Sequence, residues 1–468
     1  MSLIATLLCV ILISFLSWHD RERKQKPSPA LWVPTIWFIL ASSRSVSQWL
    51  TIRSAAAMRN LSTDLVEGNP IDRIVFFGLV AIGLLILIFR WDRTMRILQN
   101  HIPIVIFLVY CLVSLTWSQY ADVAFKRWIK TLGDFVMVLI VVSDSNPMLA
   151  LRSLFSRLAY LLLPLSILLI KYYPVYGREY GRWTGQTYYS GVTSGKNELG
   201  CLCMLIGLAV VWRLLHSYNA PHSKYRSQQL ALHCFILSMV LWLFWLAHSM
   251  TSLGCFVIGC ACFLFIESRK ARRSPMLVPC VVIGILVVFT SILIVGVLPG
   301  ILEAIGKDPS LTDRKGVWET LIPLMSNPII GTGFESYWLG PRLDKIWAVW
   351  WWQPIEAHNG YLEIYLSLGW VGVFLLLSVL IHGYRGAVRN WRYRAPASSL
   401  MLTYYIVGLA YNFTESALFR MMHPVWLVLL LSMTYSPMRS LITLKSDVQD
   451  DLNPQAVINA SMFKGRTA

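Results

Sequence analysis

The sequence predicts an all-α, polytopic membrane protein with about 12 to 13 transmembrane helices. Three observations carry that prediction: an apolar composition, apolar segments close to bilayer length, and basic residues that collect in alternate gaps between them. Of 468 residues, 56% are hydrophobic and 14% charged, and the mean hydropathy is +0.57. A hydrated surface needs more polar area than this, so the bilayer is the expected solvent and the first partner. The net charge of +17 would suit nucleic acid, but the bases lie in short runs between apolar segments, as in cytoplasmic loops. No nucleic-acid partner is expected.

Taken in order, the apolar cores run over 3–18, 31–41, 74–89, 102–117, 128–142, 158–170, 199–212, 230–247, 252–266, 276–298, 361–381, 400–411 and 424–433. The first lacks a basic leader and a small-residue cleavage site, and so reads as a retained helix. Apart from their ends, the spans read as nearly free of charge, which argues against a transporter of anionic solutes, the alternative of another class. Alternate gaps carry Arg21 to Lys26, Arg90 to Arg96, Arg152 and Arg157, Arg213 to Arg226, Arg269 to Arg273, and Arg385 to Arg394. Retention of bases in the cytoplasm then predicts a periplasmic N-terminus and a cytoplasmic tail in a bacterial inner membrane.

This divides the chain into N-terminal spans over 1–298, a large periplasmic loop over 299–360 with helical character, C-terminal spans over 361–435 and a tail over 436–468. The loop is near neutral, so any basic residue in it acts by position. The nine cysteines sit in or beside apolar stretches without paired CxxC spacing, and read as apolar fillers.

No P-loop or GxGxxG is present, so a transferred group must arrive already activated. The histidines show no metal-ligand spacing, so neither metal nor cofactor is expected. Four places can carry chemistry. His358, at the mouth of a span after Trp347, Trp350, Trp351 and Trp352, can act as a base or simply bond the backbone. The tryptophans suit an interfacial belt or a sugar-stacking surface. Arg314, on a short amphipathic helix before a Gly-rich turn, can clamp a phosphate or pair with a neighbour. Arg182 and Lys196, in an earlier outer loop, can hold an anionic headgroup or snorkel to lipid. Glu415, between the last two spans with Asn412 and Arg420, can orient a base or pair with Arg420.

In order, Lys196-Asn197-x-Leu199-Gly200, Arg314-x3-Trp318, Pro328-x2-Gly331-x-Gly333, His358-Asn359-Gly360-Tyr361-Leu362, Gly369-x2-Gly372 and Asn412-x2-Glu415 resemble the O-antigen ligase and polymerase family of bacterial inner membranes. Glu67 to Arg73 and Trp117-Ser118 resemble its exopolysaccharide polymerase branch. The resemblance implies a GT-C-like helical fold and a metal-independent, inverting glycosyltransferase. Its donor would be an oligosaccharide on undecaprenyl diphosphate and its acceptor a sugar hydroxyl of a second glycan. It also implies His358 as general base or acceptor-orienting group and Arg314 on the diphosphate, with Lys196, Arg182, Asn359 and Glu415 as substrate-binding residues. A flippase and a chain-length regulator would be its partners. Repeat-unit polymerase and ligase to a lipid core or protein both fit, because loop shape decides the acceptor.

Overall fold

The computed structural model describes residues 2–19, 27–52, 68–180, 185–219, 226–268 and 313–436, with isolated positions between 271 and 284. The first half of the chain supplies α1 (Ser2–His19), α2 (Trp32–Ala41), α3 (Val46–Thr51), α4 (Pro70–Phe89), α5 (Trp91–Asn100), α6 (Ile102–Val113), α7 (Ala121–Val142) and α8 (Pro147–Tyr172). A ribbon follows, in which β1 (Arg178–Tyr180) pairs antiparallel with β2 (Thr187–Tyr189). Then come α9 (Lys196–Asn219), α10 (Arg226–Ala247), α11 (Met250–Glu267), α12 (Asp313–Leu321), α13 (Pro341–Val349), α14 (Gly360–Arg392), α15 (Ser398–Tyr411) and α16 (Pro424–Thr434). Most of the span expected at 276–298, the start of the large loop and the tail after 436 lie outside the described residues.

Among the described residues, seven helices are long and apolar enough to cross a bilayer, or eight if α5 and α6 with its extension form one span bent by 86°. The chain is therefore a multi-pass membrane protein, and among the described residues some of the expected spans are shorter or more polar helices than a full crossing needs. For two of the short ones, α15 and α16, the physical reason is burial. Every residue of α15 is buried, as is every residue of α16 after Pro424. Helices wrapped in protein satisfy their backbone internally and need not match the hydrocarbon thickness, so 14 residues suffice for α15. At the periphery, α1 and α4 turn Leu3, Leu7, Ile74 and Phe77 outward, as lipid-facing helices do.

α7 corrects the expectation of nearly charge-free spans. It carries Lys130 and a fully buried Asp134, whose carboxylate accepts hydrogen bonds from the Trp37 indole at 2.8 Å and the Met422 amide at 3.0 Å. A buried carboxylate with both oxygens engaged is a structural tie, here joining α2 and α7 to the loop before α16.

α14 breaks at Gly369, at φ +63°. The 328–333 loop fills the break: Trp370 and Val371 donate to the Pro328 and Ile329 carbonyls, while Thr332 and Gly333 donate to those of Leu366 and Ser367. A Cβ on Gly369 would run into the Ile329 carbonyl, and one on Gly331 into the Ser367–Leu368 backbone. The Pro328–Gly333 and Gly369 signatures are thus two halves of one backbone junction. It anchors the large loop to a membrane helix.

Candidate active site

The loop's own core determines where His358 sits. Val317 and Leu321 of α12 pack with Tyr337, Leu343 and Ile346, and Trp347, Trp350 and Trp352 close over them. Three of the four tryptophans therefore build the loop, and Trp351 alone of the four is largely exposed. The Trp318 indole donates to the Ala357 carbonyl at 2.8 Å, and the Ala357 amide donates to Glu363. His358 then takes φ +50°, a left-handed conformation that costs a non-glycine residue about 1–2 kcal/mol. Its surroundings hold it there: the next amide, Asn359, donates to Ser416 Oγ at 3.1 Å.

Asn359 caps α14, accepting from the Tyr361 and Leu362 amides at 3.0 Å each. The Gly360 amide donates to the Asn412 carbonyl at 2.9 Å and to that of Glu415 at 3.2 Å, and a Cβ on Gly360 would collide with the Asn412 side chain. Asn412 in turn accepts from the Ala417 and Leu418 amides, both at 2.9 Å. Asn359, Gly360 and Asn412 thus serve as joints between two loops.

Those joints bring Glu415 to the imidazole, with His358 Nδ1 3.0 Å from Glu415 Oε2. A carboxylate only accepts, so Nδ1 carries the proton and Nε2 is left as the basic atom. Glu415 Oε1 lies 3.8 Å from Arg314 Nη2, and Arg314 also donates to the Thr414 carbonyl. Burial draws the Arg314 guanidinium below its usual pKa, and the Glu415 charge opposes that shift. On the other side, Glu356 Oε1 lies 3.4 Å from His358 Nδ1 and its second oxygen is ion-paired with Arg420. Glu356, His358 and Glu415 have donor atoms within 4.8 Å of one another, a spacing that suits a cation. Each carboxylate, however, already faces a guanidinium, so two carboxylates and two guanidiniums pair off around the imidazole.

Glu356, Glu415, Ser416 and Arg420 line one wall of a cavity of about 620 Å³, and Ser43, Asp72, Lys130, Asn197, Glu198 and His423 line the rest. Its walls come from loops 42–73, 171–196, 299–360 and 412–423, the gaps of one charge parity, so these loops meet at one end of the bundle. The cavity wall carries the two carboxylates that His358 contacts, while His358 is not itself a lining residue. A second cavity, of about 270 Å³, shares Glu356, Ser416, Arg420 and Met421 with the first and adds Arg127, Glu335 and Glu363.

Of the expected site residues, His358, Arg314, Asn359 and Glu415 come together. Lys196 does not join them, since its Nζ lies 4.5 Å over the Tyr188 ring while its neighbours Asn197 and Glu198 reach the cavity. Arg182 lies outside the described residues. The sequence expectations do not include Glu356 and Lys130 as site residues, and give Arg420 only as one alternative partner for Glu415. The only local signal was Glu356, two residues before the histidine.

Residues 214–377 match the family described as O-antigen ligase, a segment that includes Arg314 and His358. The chain is 23% identical over 301 residues to the exopolysaccharide production protein ExoQ of Rhizobium meliloti, covering 62% of this chain and 66% of that one. It is 27% identical over 139 residues to a "Putative polysaccharide ligase" of Rickettsia bellii, covering 28% and 33%, and 27% identical over 143 residues to one of Rickettsia typhi, covering 28% and 34%. The chain thus spans just under two thirds of the first relative's length and about a third of the other two. These matches fall on a helical membrane fold whose large loop carries the arginine and histidine motifs, and over residues 214–377 the chain is similar to the O-antigen ligase family.

Proposed function

We propose that the protein is a glycosyltransferase that lengthens a polysaccharide at the periplasmic face, moving glycan from undecaprenyl diphosphate onto an acceptor sugar hydroxyl. The observation that carries this reading is the His358–Glu415 pair, with Nδ1 engaged at 3.0 Å and Nε2 left basic, beside a cavity at the end of the bundle. In the reaction, Nε2 takes the proton of the acceptor hydroxyl as its oxygen bonds to the anomeric carbon. The bond from that carbon to the diphosphate oxygen breaks, and the electron pair leaves with the diphosphate. A single displacement of this kind inverts the anomeric centre. Glu415 stabilises the imidazolium that forms, and Arg314, held by Glu415 and Thr414, positions that carboxylate.

The departing charge falls to the cations on the cavity wall, Arg420 and Lys130. Because Asp72, Glu198, Glu356 and Glu415 share that wall, they act by proximity to the leaving oxygens and not through a positive field. Lengthening is favoured over ligation by the longer alignment with the exopolysaccharide production protein, 301 residues against 139 and 143 for the ligase-named relatives. The test is complementation of a null strain, with the lipid-linked glycans profiled by mass spectrometry. Wild type restores polymer, and His358→Ala leaves single repeats on lipid at normal protein abundance. Long chains stranded on lipid would instead identify a ligase, and normal polymer from His358→Ala would defeat the catalytic reading.

A further inference from the structure

A larger cavity, of about 1210 Å³, opens at the other end of the bundle. It is lined by the last turns of α9, α11 and α14 and the first turns of α8 and α15. Along α9, Trp212 in this cavity is 15 residues from Asn197 in the candidate active site, a separation of about 22 Å. This is the end whose loops carry the runs of bases.

Arg152, Arg392 and Arg394 stand on its wall against Glu267 alone among carboxylates. Arg392 and Arg394 are exposed and have no ion-pair partner among the described residues. Ser398 and Ser399 also line the cavity. They are 5% and 8% exposed, and neither hydroxyl has a hydrogen-bond partner among the described residues. They form the first turn of α15, whose N-terminus has no side-chain cap and presents the positive end of its helix dipole. The two serines thus meet a helix N-terminus and two uncompensated guanidiniums at one cavity wall. Below them Trp212, Leu215 and Phe263 supply an apolar wall.

We propose that this cavity binds the phosphodiester headgroup of an anionic phospholipid of the surrounding bilayer. The phosphate is bonded by Ser398, Ser399, Arg392 and Arg394, and the start of its acyl chains lies on the Trp212 side. A lipid suits the site better than a free phosphate because polar donors and an apolar wall share one space at the end of membrane helices.

The full-length protein is reconstituted in bilayers of equal phosphatidylglycerol and phosphatidylcholine. The lipid retained after detergent extraction and washing is then identified by mass spectrometry. Wild type retains phosphatidylglycerol preferentially, and Arg392→Gln with Arg394→Gln reduces that preference about 10- to 30-fold, the scale for losing two bases at a membrane surface. Ser399→Ala, which leaves every charge in place, reduces it by a smaller factor. Arg385→Gln with Arg389→Gln, an equal loss of charge outside the cavity, leaves it unchanged. Equal retention of both lipids by wild type, or equal losses in the two double variants, overturns the proposal. Displacement of phosphatidylglycerol by millimolar inorganic phosphate also overturns it, in favour of a free-anion site.

Discussion

The two ends of the helical bundle treat charge in opposite ways. Around His358 two carboxylates each face a guanidinium and the imidazole: Glu415 sits between Arg314 and His358, and Glu356 between Arg420 and His358. At the far end Arg392 and Arg394 stand without acidic partners among the described residues, beside two unbonded serine hydroxyls. Paired charges fix geometry before a substrate arrives, so that little reorganisation remains for the reaction. Unpaired ones at a helix N-terminus supply binding energy only once an anion is present. On the two proposals above, one end is arranged for chemistry and the other for occupancy.

The largest expected effect falls on the base. His358→Ala should lower glycan transfer about 10²- to 10⁴-fold, measured as polymer formed from lipid-linked repeats in proteoliposomes. Retention of more than a tenth of wild-type rate would mean that the paired end is only structural. Glu415→Gln comes next, because the new amide can donate to Nδ1 and leave the proton on Nε2, the wrong tautomer. We expect a loss of about 10²-fold or more at unchanged protein abundance, and a Gln variant as active as wild type would remove the carboxylate from the mechanism.

Arg314→Lys separates positioning from donor binding. Lysine keeps the charge but loses the two-ended grip on Glu415 and the Thr414 carbonyl, so kcat should fall about tenfold with little change in KM for the lipid-linked donor. A rise in KM at constant kcat would instead put Arg314 on the diphosphate, as the family resemblance implies. Gly369→Ala tests the junction that anchors the loop. Left-handed backbone and collision with the Ile329 carbonyl should cost about 1–3 kcal/mol, read as a lower melting temperature in detergent, and unchanged melting would show that the junction can yield. The smallest effect is expected for Lys196→Ala, since its contact with Tyr188 is worth about 0.5–1 kcal/mol. A hundredfold loss of transfer there would show that the ammonium leaves the ring to meet the donor.

Much of the site was legible because its motifs are local. His358-Asn359-Gly360 and Asn412-x2-Glu415 are short, and two of their residues meet a backbone need close by in the chain: a cap at Asn359 and a loop brace at Asn412. The roles within the site were less legible. Arg314, expected on a diphosphate, lies beside Glu415, 101 residues away, and Arg420, one of the alternatives for Glu415, pairs with Glu356. A pairing of this kind depends on which loops meet, and no local pattern encodes that.

By itself the sequence determined that the chain lives in lipid and that its bases favour one side of the bundle. It also determined that a histidine, an arginine and a carboxylate sit in the loops of the other charge parity. Each of these follows from composition or from short-range backbone chemistry. Only the tertiary structure decided that α15 and α16 could be short, because protein surrounds them, and that Asp134 ties α7 to the loop of Arg420. It also decided that Glu415 belongs to His358. Burial and charge pairing are properties of neighbours in space, and those neighbours exist only once the helices have packed.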